Sequence, residues 1–122
     1  DHHPYGDRVA DIALVDETAS STAEITYGLI RATGVSELTP RVAEALFVGI
    51  LTDTGSFRFP NTTPQTLRVA ADLMEAGADP SRVANHLYEQ HTLDRMKLLG
   101  HELLTCHAVE DTRIAWMEIT RE

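Results

Sequence analysis

Apolar residues run almost unbroken from Val42 to Leu51. Val42, Ala43, Ala45, Leu46, Phe47, Val48, Ile50 and Leu51 leave a helix in this stretch little polar surface, and a helix apolar on every side is a buried one. Thr39 and Pro40 supply its N-cap and first residue. It ends at Asp53, with Gly55 as its stop. On either side the pattern changes. Ile12, Ala13, Leu14 and Val15 are continuously apolar between Asp11 and Asp16, as in a strand buried on both faces of a parallel sheet. Ser21 with Glu24 forms a capping box for a helix running to about Arg31 and closed by Gly34. The Ser20–Ser21 pair could instead bind phosphate at that helix N-terminus; capping is the favoured role.

Downstream of Asp53 a turn spans Gly55 to Phe59. Phe57 and Phe59 alternate around Arg58, which in an extended segment puts both rings on one side and the guanidinium on the other. There Arg58 could clamp a phosphate, or be an ordinary surface arginine. Thr63 and Pro64 open a helix with Gln65, Arg68, Asp72 and Glu75 on one face and Leu67, Ala70, Ala71 and Met74 on another, closed by Gly77. Asp79-Pro80 starts the next, with Val83, Ala84, Leu87 and Tyr88 inward. His86 and His91 nearby lack a carboxylate at metal-ligand spacing and are structural or exposed. Thr92 begins a longer helix with the stripe Leu93, Met96, Leu99, Leu103 and Cys106. After the polar turn Glu110-Asp111-Thr112 a strand runs from Arg113 to Thr120.

Composition narrows the function. The 122 residues, 43% hydrophobic, are enough for a compact domain. Cys106, the one cysteine, excludes an internal disulfide, suits a reducing compartment, and on its helix stripe reads as a buried thiol. No apolar run is long enough for a membrane span. A net charge of −9 argues against duplex nucleic acid. Small phosphate esters remain open to an acidic protein if metal ions and a few arginines make the pocket locally positive.

Candidate chemistry gathers at two places. Asp53 lies at a helix C-terminus, where the dipole is unfavourable to a carboxylate and a nearby core adds desolvation; a bound cation would offset both, and a plain solvated turn is the other reading. The chain opens Asp1-His2-His3, which by itself could be no more than a flexible terminus.

Taken together, Asp1-His2-His3, a strand, two helices, and a helix ending in Asp within GILTDTGSFRF (Gly49 to Phe59) resemble the DHH phosphoesterase superfamily. Within it, the run TDTGSFRFPNTTPQTL from Thr52 to Leu67 looks like the branch of bacterial oligoribonuclease/pAp phosphatases, the NrnA-like proteins. The resemblance covers essentially the whole chain. It implies an α/β fold: the C-terminal part of a DHH-type parallel-sheet domain over residues 1–91, mostly helical here, then a linker helix and the first strand of a DHH-associated domain over 92–122. It implies a cytoplasmic hydrolase that degrades short RNA and dephosphorylates 3′-phosphoadenosine-5′-phosphate (pAp), with no duplex or membrane partner and room for a homodimer. Two Mn²⁺ ions are the implied cofactor. His2 and Asp53 would ligate one ion, Asp1 and His3 would be catalytic, with Asp1 orienting a histidine and His3 facing the phosphate, and Arg58 would contact substrate. Asp7, Asp11, Asp16 and Glu17 lack the spacing of the family's other metal motifs, and its glycine-rich substrate motif is absent. The chain therefore reads as an internal fragment, inactive alone. Two alternatives stand: a DHH phosphodiesterase acting on cyclic dinucleotides or longer single strands, and a non-catalytic helical interaction module.

Overall fold

The structure, a computed structural model, describes residues 1–3 and 11–118. Asp7 and the end of the expected last strand, Ile119 and Thr120, lie outside the described residues. The chain divides into two compact units, Asp1–Ala84 and Asn85–Glu122.

The first unit is built on helices α1 (Thr22–Ala32), α2 (Pro40–Asp53), α3 (Pro64–Glu75) and the short α4 (Pro80–Ala84). α2 is central: it packs against α1 and α3 and touches α4. Thr39 caps it by accepting from the Val42 N–H. Its buried residues Ala43, Leu46, Phe47 and Ile50 follow the spacing of one helical face, joined by Leu51. The helix is thus not buried all round: Ala45 is exposed and Val42 is 40% exposed, because the neighbouring helices cover only part of its surface. α1 crosses α2 closely at Gly49, where an added Cβ would sit 2.7 Å from that of Ala23. Gly49→Ala gains about 1 kcal/mol of helix propensity but forces an overpacking cost of about 1–3 kcal/mol. We expect a net loss of stability in urea titrations.

Residues 12–15 form no strand among the described residues. They make a single rung: Asp1 N donates to the Leu14 carbonyl (2.7 Å), and Asp16 N donates to the Asp1 carbonyl (3.0 Å). One residue bonding both neighbours of its opposite number is the pattern of a parallel pair. With no second strand alongside among the described residues, Ile12 is 89% exposed and Leu14 50%.

α3 buries Thr66, Val69, Ala70 and Leu73. The inward face expected from apolar residues is therefore turned: Ala70 is buried, but Leu67 and Met74 are about half exposed and Ala71 is exposed. Thr66 takes an inward place because its hydroxyl is fully partnered, by the Thr63 N–H and hydroxyl and by Glu24 Oε2 at 3.1 Å. α1 and α3 are also joined by the Tyr27 hydroxyl, which donates to Asp72 (2.5 Å) and accepts from Arg31 Nε (3.1 Å). Burial, then the Asp72 carboxylate, pushes Tyr27 ionisation above its ordinary value of 10.0. The folded value lies above the unfolded one, so this stabilisation is whole below pH 10 and is lost as pH rises through the folded value. Tyr27→Phe should cost about 1 kcal/mol at neutral pH and remove that alkaline component, as pH-resolved thermal melts would show.

After α4, with Val83 buried, the second unit opens on a π-helical turn, Asn85–Glu89. The expected regular helix does not continue there, and Leu87 and Tyr88 are exposed rather than inward. His86 and His91 are exposed. Thr92 caps α5 (Leu93–Leu104) by accepting from Arg95 N. Its expected stripe is about half or more open to solvent, and its buried residue is Glu102. The helix stops at Thr105, whose hydroxyl donates to the His101 and Glu102 carbonyls. Cys106 therefore falls beyond the helix and is exposed, not a buried thiol. A hairpin follows. β1 (His107–Ala108) pairs antiparallel with β2 (Ala115–Trp116) in the register His107↔Trp116 and Ala108↔Ala115. The expected strand from Arg113 is thus shorter and has a partner the apolar pattern did not reveal.

Candidate metal centre

The end of α2 is shaped by its own backbone. Ser56 N donates to the Leu51 carbonyl (2.8 Å) and Gly55 N to the Thr52 carbonyl (3.1 Å), a Schellman closure that satisfies two terminal acceptors. Thr54, fully buried, donates from its hydroxyl to the Ile50 carbonyl (2.7 Å) and accepts from Phe57 N (3.1 Å). Gly55, Ser56 and Phe57 have φ of +55°, +61° and +62°. Two consecutive non-glycine residues in the left-handed region are costly and persist only where the surroundings impose them. The imposing contacts are visible. Phe57 packs edge-to-face on Phe47 at 6.2 Å. The Phe59 ring lies over Gly55, where a Cβ would come within 2.4 Å of it. The segment is the expected turn, and its backbone is not extended at Ser56 and Phe57. Phe57 joins the core while Phe59 stays 53% exposed, so the two rings do not share a side. Arg58 folds its Nε back onto the Gly55 carbonyl (2.6 Å) and is exposed.

The chain start meets this turn. His2 Nε2 lies 3.5 Å from Asp53 Oδ2, with the two side chains 17% and 39% exposed. That separation is long for a hydrogen bond. It suits two donors on one ion, which at about 2.0–2.2 Å each sit roughly 3–3.5 Å apart. Asp1 Oδ1 accepts from His3 N (3.2 Å) and Thr22 Oγ1 (3.3 Å) and lies 2.8 Å from His3 Nδ1. The His2 and His3 rings are 4.2 Å apart at 62°. Candidate ligand atoms of Asp1, His2 and His3 all lie within 4.8 Å of one another. Mixed imidazole and carboxylate donors so close together fit a divalent transition ion.

Ser20 and Ser21 are fully buried. Ser21 Oγ caps α1 by accepting from Glu24 N (3.1 Å), and Glu24 Oε2 accepts from Ser20 N (3.0 Å) and Ser20 Oγ (2.5 Å). Capping is what this pair does here. Asn61 Nδ2 donates to both the Ser20 carbonyl (2.9 Å) and the Asp53 carbonyl (3.1 Å). The NTTP stretch reads locally as a loop leading into α3. Its signal was an amide able to serve two carbonyls just past a glycine turn. The structure thus joins His2 to Asp53 and Asp1 to His3, leaves Arg58 on the outer face of the turn, and adds Asn61.

No protein-family model matches the chain. It is 42% identical over 105 residues to the bifunctional oligoribonuclease and PAP phosphatase NrnA of Thermus thermophilus, a match covering 86% of this chain and 32% of that protein. It is 40% identical over 102 residues to the protein of the same name from Bacillus subtilis, covering 82% and 32%. The chain belongs to the NrnA-like family. It spans about a third of the length of the curated relatives it matches. A crystal structure of an exopolyphosphatase-related protein from Bacteroides fragilis matches this NrnA-like chain with a TM-score of 0.84 at 27% identity, over 91% of this chain and 33% of that one. A stretch of the A-adding tRNA nucleotidyltransferase of Aquifex aeolicus is 30% identical over 100 residues, covering 82% of this chain and 12% of that protein.

Proposed function

We propose that this chain is the part of a longer, metal-dependent phosphoesterase that carries the DHH segment and the aspartate it meets, and that the full-length protein hydrolyses short oligoribonucleotides and pAp. The observation that carries the reading is the approach of His2 Nε2 to Asp53 Oδ2 at 3.5 Å across 51 positions of sequence. The relatives' names supply the substrate class.

When bound, a pair of divalent ions, Mn²⁺ by the character of the donors, supplies a water of lowered pKa and positive charge facing the phosphate. His2 and Asp53 hold one ion. Asp1, lying against His3 Nδ1, fixes that ring so that its Nε2 is presented outward. The His3 side chain is 67% exposed, open to a phosphate oxygen. Arg58, exposed and with its Nε on the turn, would contact substrate through its guanidinium. The single parallel rung at Asp1 supports placing residues 11–16 in a parallel sheet completed by further strands. We place the division between the phosphoesterase domain (1–91) and the linker with the DHH-associated domain (92–122) as the family resemblance does. No helix among the described residues is long and apolar enough to cross a membrane. A cytoplasmic enzyme, with a homodimer allowed, fits this reading.

The likeness to a tRNA nucleotidyltransferase favours a second reading, in which the same module serves a larger protein acting on tRNA. One assay separates them. Full-length protein with Mn²⁺ is offered pApA, pAp, a cyclic dinucleotide and tRNA. Mononucleotide from pApA and inorganic phosphate from pAp, both abolished by EDTA, are expected. Turnover confined to the cyclic dinucleotide or to tRNA would replace the proposed substrate, and no metal-dependent turnover at all would refute the phosphoesterase reading.

A further inference from the structure

We infer that Asn61 is a positioning residue that sets the height of Asp53 relative to the Asp1–His3 segment. The inference rests on the proposed metal centre and extends it. Asp53 and the histidines reach the site from different parts of the chain, so something must hold those parts in register. The Asp1 backbone is bonded to Leu14 and Asp16. Asp16 Oδ1 accepts from Thr18 N (2.9 Å) and Thr18 Oγ1 (2.6 Å), shaping the turn that leads to Ser20. These bonds hold the Asp16 carboxyl below its ordinary range. Ser20 is fully buried and is gripped by Glu24, itself bonded to Thr66. Asn61 then joins this frame to the other half of the site: one nitrogen serves the Ser20 carbonyl and the Asp53 carbonyl together. Its Oδ1 is buried with no partner among the described residues. An asparagine kept with a bare acceptor is oriented by its two donations rather than by its own full satisfaction.

The test measures Mn²⁺ affinity of the full-length protein by the loss of the free-ion EPR signal, with thermal melting recorded alongside. Asn61→Leu keeps the volume and removes both donors. We expect it to weaken Mn²⁺ binding about 10–100-fold and to raise the Mn²⁺ concentration needed for half-maximal turnover more than it lowers the maximal rate. Asn61→Ser, with one short donor, should fall between it and wild type, and carries the comparison alone if the leucine variant does not fold. Thr63→Ala removes the α3 cap from the same loop without touching Asp53. Equal weakening by Thr63→Ala would mean that loop stability, not Asn61, sets affinity, and would overturn the inference. Asp53→Asn is the reference arm. If it weakens binding while the Asn61 variants do not, the positioning role fails and the metal centre stands. If neither changes binding, the metal-centre reading itself fails.

Discussion

Asp53→Asn in the full-length protein is expected to lower Mn²⁺-dependent hydrolysis of pApA and pAp by at least about 100-fold while leaving the fold intact. Groups that only orient a ligand typically cost 10–100-fold when removed, and Asp53 is proposed as a ligand itself. The fold survives because the change keeps size and the side chain is 39% exposed. The sign of the stability change is diagnostic. Asp53 is the last residue of α2, which has no basic residue in its last turn. A carboxylate there opposes the helix dipole by a few tenths of a kcal/mol. Without metal, the variant should therefore melt at the same temperature as wild type or slightly above it. Turnover in Mn²⁺ and melting in EDTA, measured on the same preparations, check both halves. Full activity in the variant would remove Asp53 from the mechanism.

The second large effect is expected in the 122-residue chain by itself, which should show no measurable turnover of pApA or pAp with Mn²⁺. His2 and Asp53 supply two donors, whereas a divalent ion of this kind takes about six and the chemistry uses a pair of ions. Among the described residues the further candidates beside them are Asp1 and His3, and Asp1 Oδ1 already accepts from the His3 and Thr22 donors. Water can fill open positions but does not fix an ion in place. Exposed apolar side chains add a second handicap: Ile12 and Leu104 are both 89% open, and Leu14 and Val15 about half. Such surface promotes association, so light scattering should rise with concentration. Robust Mn²⁺-dependent turnover by the isolated chain would place the site elsewhere.

What could be read from residues alone was mainly punctuation. Thr39-Pro40, Thr63-Pro64, Thr92, Gly34, Gly55 and Gly77 mark helix ends through rules that act within a few residues, and the helices begin and end close to them. Which face turns inward was harder. Thr66 is buried because a carboxylate 42 positions away, Glu24, partners its hydroxyl, and no local period encodes that. The turn after Asp53 was legible from Gly55, but the placing of Phe57 and Phe59 on one side was not, because Ser56 and Phe57 hold a left-handed backbone usually left to glycine, stabilised by Phe57 against Phe47. The approach of His2 to Asp53 was expected from the motif resemblance, and the structure brings the two within 3.5 Å. The part of Asn61 was not expected, because its partner Ser20 lies 41 positions away.

The central claim is that His2 and Asp53 share one ion, and crystals of the full-length protein soaked in Mn²⁺ test it most directly. Anomalous diffraction at the manganese edge should give a peak within about 2.0–2.3 Å of both His2 Nε2 and Asp53 Oδ2. A well-occupied peak elsewhere, with His2 and Asp53 bonded only to each other or to solvent, would contradict it.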